Sequence, residues 1–312
     1  MANGEFDFYD KSTLKSYNLT SSMRYQLSML DKLDVFTRKH SENVASIVCR
    51  LCEYLHLNKS FTAYCTICAY LHDIGKIFIP PAILQKPARL TDEEYEIMKT
   101  HTILGYKMCM DDLELRPYAL GPKYHHECLD GTGYPEGLKG NQIPLEDQII
   151  KVADEYDAIV SKRQYKTHIK ISETLKILIK EAQPSTKEVA LDNAANGAKV
   201  GRLNKKVVKT LFKVVIEDTE YEISCLMGYI KFLKDEIKRL ETIQDYENKM
   251  YNSKTEKKKK YYEEGMKLLF SEGENFNNYP DVLSEYKEAL ENRNGIIDSL
   301  FDEIKIIKKL KV

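Results

Sequence analysis

The chain has 312 residues, 43% hydrophobic and 30% charged, with a formal net charge of -1. That length suffices for one large domain or two modest ones, and the apolar fraction suffices for a buried core. The near-zero net charge excludes a dedicated nucleic-acid binder, which would carry a basic excess, and no segment reaches the roughly 18 uninterrupted apolar residues of a membrane span.

The opening residues, MANGEFDFYDKS, lack the charged-then-apolar pattern of a signal peptide, and a cytoplasmic protein is expected. Apolar residues then recur at spacings of three and four, with strict alternation nearly absent, so the expected fold class is all-α. NVASIVCRLCEYLHL and SFTAYCTICAYLHDIGKI both read as amphipathic helices. Each carries a C-x-x-C pair, Cys49/Cys52 and Cys65/Cys68, a spacing superficially like a zinc site. Neither pair sits in the glycine-rich knuckle such sites use, so the four are read as small apolar core residues. All seven cysteines, an odd number, are read as reduced thiols.

LTDEEYEIMKTHTILGYKMCM reads as one further helix, capped by Thr91 with Glu94 three residues on, burying Ile97, Met98, Leu104 and Met108. PLEDQIIKVADEYDAIVS reads as another, turning Ile149, Ile150, Val152 and Ala153 toward a core. Loops are expected at FIPPAILQKPARL, LDGTGYPEGLKGNQIP and AANGAKVGRL. Composition shifts near residue 220. Beyond it, Leu226, Ile230, Leu233, Ile237 and Leu240 alternate four and three apart as a short heptad seam. SKTEKKKKYYEEG reads as a solvated charged stretch, and a last helix, roughly 280–310, carries Leu283, Leu290, Ile297, Leu300, Ile304 and Ile307. Residues 1–220 are therefore expected to form the chemical domain and 221–312 a helical accessory region, a coiled coil or helical hairpin. Its helices would fold back on each other or pair with a second copy or a protein partner.

Chemistry concentrates in LHDIGKI and YHHECLDGTGYPEGL. His72 and Asp73 are adjacent, so on a helix they point about 100° apart. They reach a common site only near a helix end or across two ions. A carboxylate bridges two cations naturally, one oxygen to each. Lys76, three residues after Asp73, lies on that face and is placed to hold a phosphate or assist a leaving group. His40, His101, His125 and His126 add imidazoles, and Asp154, in an otherwise apolar run, needs a cation or donors to be buried. Any of these alone is an ordinary surface or core residue, and His56 and His168 are read so. Gly131 and Gly133 alone mark a turn. Together, five of the seven histidines and two carboxylates make about the ligand number of two metals, with waters in the remaining positions. Nitrogen and oxygen donors without thiolate suit iron, manganese or zinc better than calcium or magnesium.

The ordered set RKHSENVA, LHDIGKIFIPPAIL, MKTHTILGY, HHECLDGTGYPEGLKGNQIP and KVADEYDAIVSKRQYK resembles the HD-GYP family, a subset of the HD-superfamily metal-dependent phosphohydrolases. The likeness runs from about residue 20 to 216, ending in GRLNKKVVKTLFKVV. About twenty residues precede it, so the sensor or receiver domain common in the family is not expected ahead of it. The resemblance implies an HD-type helical bundle and hydrolysis of cyclic di-GMP to pGpG and onward to GMP, with some members acting on cyclic GMP-AMP. It also implies one metal on His40, His72, Asp73 and Asp154, with Asp73 bridging to a second on His101, His125 and His126. Lys76 matches the lysine of HDxGK and would contact the scissile phosphate, so Lys76 and Asp73 carry the catalytic expectation. Gly131, Gly133, Tyr134 and Pro135 match the loop that gives the family its name and shapes the substrate pocket. Arg163 and Lys166 match basic positions that clasp the substrate phosphates, and Asp130 would orient groups around the ligands.

The sequence departs from the family pattern at Cys128, where arginine is usual, and at Thr102 and Gln164, where prolines are usual. None is a ligand position. Phe36 stands where three-metal members have a glutamate and cannot ligate, so two divalent metals are expected, iron foremost, with manganese or zinc as alternatives. The implied reaction is in-line attack on phosphorus by a hydroxide held between two cations, with Lys76 helping to neutralise the phosphoryl oxygens. Two other readings stand beside it: a cyclic dinucleotide receptor with little turnover, signalling through 221–312, and an HD phosphohydrolase for another cyclic nucleotide such as cyclic GMP-AMP. The ligand set and Lys76 favour turnover, and the GYP loop favours a cyclic dinucleotide.

Overall fold

A computed structural model describes residues 35–161, 170–184 and 200–311. Among them the backbone is helical or irregular, and the single β-type pairing is an antiparallel bridge between Asp130 and Lys139. The fold is all-α, as the spacing of the apolar residues predicts. The chain divides into two compact units, one within Met1–Val215 together with Lys309–Val312, the other Ile216–Lys308.

The first unit opens with α1 (Val35–Tyr54), which buries Val44, Ala45, Val48, Cys49, Leu51 and Cys52 along one stripe. Helix α2 (Lys59–Leu71) starts at Asn58, whose side chain accepts the Phe61 N–H at 2.8 Å and caps the free helix end. It turns Cys65, Cys68, Ala69 and Leu71 inward. All four C-x-x-C cysteines are thus buried free thiols in the helical core, where their small side chains suit the packing of α1 on α2.

After His72 the chain enters a 3₁₀ turn, Ile74–Phe78. Part of the expected proline-rich loop is a single helical turn, α3 (Pro81–Leu84), begun by Pro81, whose fixed φ suits a first helical position. Residues 91–111, expected as one helix, form two: α4 (Asp92–Lys99) and α5 (His101–Asp111). The Thr91–Glu94 capping box is present. The break falls at Thr100, whose hydroxyl donates to the Ile97 carbonyl at 2.6 Å, while His101 Nδ1 lies 2.7 Å from the Met98 carbonyl. Side chains thereby compete for carbonyls that a continuous helix would use. The unit continues with α6 (Leu120–Tyr124), α7 (Leu145–Ser161), which packs on α1, and α8 (Ile171–Glu181). Leu71, Ile74, Cys109, Leu115 and Ala119 form one core cluster beneath the 3₁₀ turn.

Helix α9 (Lys205–Tyr251) begins in the first unit, burying Val207, Val208, Leu211 and Val214. In the second unit its remainder packs with α10 (Glu256–Leu269) and α11 (Tyr279–Lys309) through Ile237, Leu240, Ile243, Met266, Tyr279 and Leu283. Within this unit the helices therefore fold back on each other. The lysine-rich stretch read as solvated and charged is helical from Glu256 onward, with Met266 buried beneath it. Arg239 fastens α9 to the α10–α11 connection, donating to both Glu274 oxygens at 2.6 and 2.7 Å and to the Leu269 carbonyl at 2.6 Å. No helix among the described residues is long and apolar enough to cross a membrane.

Candidate metal centre

Five helices of the first unit converge on Asp73. The end of α2 brings His72, the start of α5 brings His101, the end of α6 brings His125 and His126, and α1 with α7 brings His40 and Asp154. Ligand atoms of Asp73, His101, His125 and His126 lie within 4.8 Å of one another, as do those of His40, His72 and Asp73. Asp154 joins the second group through its Oδ1, 3.0 Å from His40 Nε2. Asp73 is common to both groups. Its Oδ2 faces His72 Nε2 at 3.2 Å and His40 Nε2 at 3.8 Å. Its Oδ1 faces His101 Nε2 at 3.4 Å and His125 Nε2 at 3.9 Å.

The tautomers follow from the neighbours. Nδ1 of His72 lies 2.6 Å from the Ala69 carbonyl, Nδ1 of His101 is 2.7 Å from Met98, and Nδ1 of His125 is 3.0 Å from Pro122. A carbonyl only accepts, so each Nδ1 carries the proton and each Nε2 presents a lone pair. The Nε2 atoms of His101 and His125 then meet at 3.3 Å with no proton between them. His72 Nε2 and Asp73 Oδ1 are buried without a hydrogen-bond partner. Inward lone pairs facing one another are costly unless a cation sits among them. The donor set fits divalent metal ions.

On the His101 side the electrostatics agree with that need. Burial holds the His101, His125 and His126 imidazoles below their usual range, in the neutral form a metal requires. Burial would raise the Asp73 carboxyl, but neighbouring positive charge, foremost Lys76 with Nζ 2.6 Å from Oδ2, outweighs it and keeps it well below its usual range. Asp154 behaves alike, burial being overcome by its bond to His40. Burial would lower His40 too, yet its hydrogen bonds to Asp154 and Asp157 raise it to about 10.

The GYP segment lies against this cluster. Tyr134 stacks on His126, with ring centroids 4.7 Å apart and 24° between planes, and its N–H donates to the His126 carbonyl at 3.4 Å. The Tyr134–Pro135 peptide is cis. Gly133 leaves no room for a side chain, since a Cβ would fall 2.3 Å from the Cys128 nitrogen. Gly131 takes a positive φ of 82°.

Residues 8–186 match the family described as HD domain, more than half of the chain. The chain belongs to the HD domain family. It is 43% identical over 144 residues to a cyclic di-GMP phosphodiesterase of Thermotoga maritima, covering 45% of this chain and 39% of that protein. It is 40% identical over 127 residues to the cyclic di-GMP phosphodiesterase response regulator RpfG of Xanthomonas campestris pv. campestris, covering 40% of this chain and 34% of that protein. It is also similar, 33% over 150 residues, to the 3'3'-cGAMP-specific phosphodiesterase 3 of Vibrio cholerae, covering 48% of this chain and 33% of that protein. The chain therefore spans only about a third to two fifths of the length of these relatives.

Not every residue singled out in this HD domain reaches the cluster. Asp130 Oδ1 accepts from the Thr132 N–H at 3.0 Å and its hydroxyl at 2.7 Å, shaping the loop. Arg163 and Lys166 lie outside the described residues, as does His168. His56 is exposed just beyond α1, at φ 57°. At Cys128, where the family usually carries arginine, Arg202 brings its guanidinium to 3.5 Å from the sulfur and pairs with Glu181 at 2.7 Å.

Two carboxylates that the sequence reading passes over bear on the site. Buried Glu127 accepts the backbone N–H groups of Glu136, Gly137 and Leu138 at 2.7, 3.1 and 2.9 Å, tying the loop to the His125–His126 segment. Asp157 Oδ2 lies 2.6 Å from His40 Nδ1. Position alone could have pointed to Asp157, which follows Asp154 by three residues on the same helix face. Nothing in local spacing marks Glu127, whose partners are main-chain groups nine to eleven residues on.

Proposed function

We propose that this chain is a metal-dependent phosphodiesterase, cytoplasmic, that hydrolyses cyclic di-GMP to pGpG or GMP. The observation that carries this reading is Asp73, one buried carboxylate whose two oxygens face two separate histidine groups. On this reading His40, His72, Asp73 and Asp154 hold one divalent cation, and Asp73, His101, His125 and His126 hold the other. Iron is the metal proposed, with manganese or zinc also compatible with the donors. Bound cations would supply charge neutralisation on the phosphate and an acidified water.

The chain's own groups do the rest. Lys76 places an ammonium at the edge of the cluster, against Asp73 Oδ2, where it neutralises a phosphoryl oxygen of bound substrate. Gly131, Gly133, Tyr134 and Pro135 wall the substrate pocket, Glu127 holding the loop that follows them. Arg163 and Lys166 clasp the second phosphate. Residues 1–220 would be the catalytic domain, and 221–312 an accessory region for a second copy or protein partner. Similarity to relatives named as cyclic di-GMP phosphodiesterases supports the substrate class, and the relative named for 3'3'-cGAMP supports cyclic GMP-AMP as a second substrate to test.

The test uses protein purified without oxygen and its metals quantified. It is incubated with cyclic di-GMP or cyclic GMP-AMP, with and without added iron or manganese, and products are separated by chromatography. Metal-dependent pGpG or GMP is the expected result. Intact nucleotide bound to protein that carries two metals would overturn turnover and leave a receptor.

A further inference from the structure

His40 differs from its neighbours in what holds its outer nitrogen. His72, His101 and His125 each give Nδ1 to a backbone carbonyl. His40 Nδ1 instead lies 2.6 Å from Asp157 Oδ2, and Asp157 Oδ1 accepts from Asn43 Nδ2 at 3.1 Å. His40 and Asn43 are three apart on α1, and Asp154 and Asp157 are three apart on α7. The two helices thus meet through a half-buried polar seam in which buried Asp157 takes a hydrogen bond on each oxygen from α1.

A carboxylate and a carbonyl are not equivalent partners for an imidazole. A carboxylate on the far nitrogen fixes the ring and makes the near nitrogen a stronger donor to a cation. Charge is also uneven between the two groups. Besides the shared Asp73, which Lys76 offsets for both, the His40 side has Asp154 and Asp157 against the one proton that His40 would give up to a cation, whereas the His101 side adds only three neutral imidazoles. A dication is drawn more strongly to the first.

We infer that Asp157 is a positioning residue that orients His40 and makes the His40–His72–Asp73–Asp154 position the tighter of the two cation positions, the one filled first. This rests on the paired-cation reading above, which assigns ligands but does not rank the two positions.

The full chain, stripped of metal, is titrated with Mn²⁺ alone by calorimetry without oxygen. Two unequal steps are expected. Asp157→Asn keeps the shape and an acceptor oxygen for the imidazole N–H while removing the charge. It should weaken the tighter step about 10- to 100-fold and leave the other unchanged. His101→Ala should weaken the other step, and the double variant both. Circular dichroism and thermal unfolding check that Asp157→Asn folds; where it does not, Asn43→Ala, which removes one support of Asp157, should weaken the same tighter step several-fold. Unchanged steps, or equal weakening of both, would overturn the inference while the paired-cation reading stands. Wild-type protein taking up fewer than two equivalents would overturn that reading and the inference together.

Discussion

A Cβ on Gly75 would fall 1.9 Å from the His101 carbonyl oxygen and 2.6 Å from the Gly105 nitrogen. The 3₁₀ turn after Asp73 therefore rests directly on the backbone of α5, and that contact brings Asp73 Oδ1 to 3.4 Å from His101 Nε2. The obstructing atoms are main chain and have no rotamer to retreat into. Gly75→Ala must push the turn away from α5, with a stability loss of about 1–3 kcal/mol or more, as in overpacked cores. The variant should melt several degrees lower and retain less metal on the His101 side. Wild-type melting and metal content in Gly75→Ala would contradict this account of the packing.

Because Asp73 is common to both histidine groups, its loss should differ in kind from the loss of one histidine. Asp73→Ala is expected to retain neither metal, whereas His101→Ala keeps one. Turnover of cyclic di-GMP should fall by more than about a hundred-fold, the rate equivalent of several kcal/mol of lost charge stabilisation. Metal content and product formation are measured on the same preparations. Two metals held by Asp73→Ala would end the bridging assignment.

The cluster was legible in the sequence to the extent that its chemistry resides in side-chain type and order. His72, Asp73, His101, His125 and Asp154 stand out only as an ordered set of imidazoles and carboxylates, and the structure brings them together. The capping box of Thr91 and Glu94 was legible for the same reason, since both partners lie in one short stretch. What was not legible depends on main-chain partners. The break at Thr100 has no proline or glycine to announce it and arises from side chains diverting the Ile97 and Met98 carbonyls. Glu127 looks like any charged loop residue until three amide groups from the far side of the loop are seen to converge on it. The lysine run near residue 257 reads as solvent-facing and is so, yet it is helical, its helix burying Met266 against Ile237, Leu240 and Ile243.

Glu127→Gln isolates that anchoring role. A carboxylate accepts all three N–H groups, while an amide must turn its NH₂ toward at least one of them. The best orientation keeps Glu136 and Gly137 on the oxygen and leaves the Leu138 N–H facing a donor. An unsatisfied buried donor costs about 1–3 kcal/mol, here paid locally in the loop. Faster hydrogen exchange at Leu138 and faster proteolysis within residues 131–139 are expected, with metal content unchanged. Exchange identical to wild type would show that the loop is held by other contacts.

Asp147, in the first turn of α7, has both carboxylate oxygens buried with no hydrogen-bond partner. Burial, reinforced by the charges of Glu146 and Glu127, pushes its pKa well above the usual carboxylate range. Above roughly pH 4 the unfolded chain loses this proton while the folded chain keeps it. The folded state then binds more protons than the unfolded state, so this group lowers stability progressively as pH rises from that point. Asp147→Asn keeps the shape and cannot ionise. Its stability should match wild type near pH 4 and exceed it increasingly toward pH 8, by about 1.4 kcal/mol for each pH unit over which the unfolded carboxyl is ionised and the folded one is not. Denaturant midpoints at the two pH values read this directly. A difference independent of pH would mean that the Asp147 carboxylate ionises in the folded chain as readily as in the unfolded one, which its burial without partners does not allow.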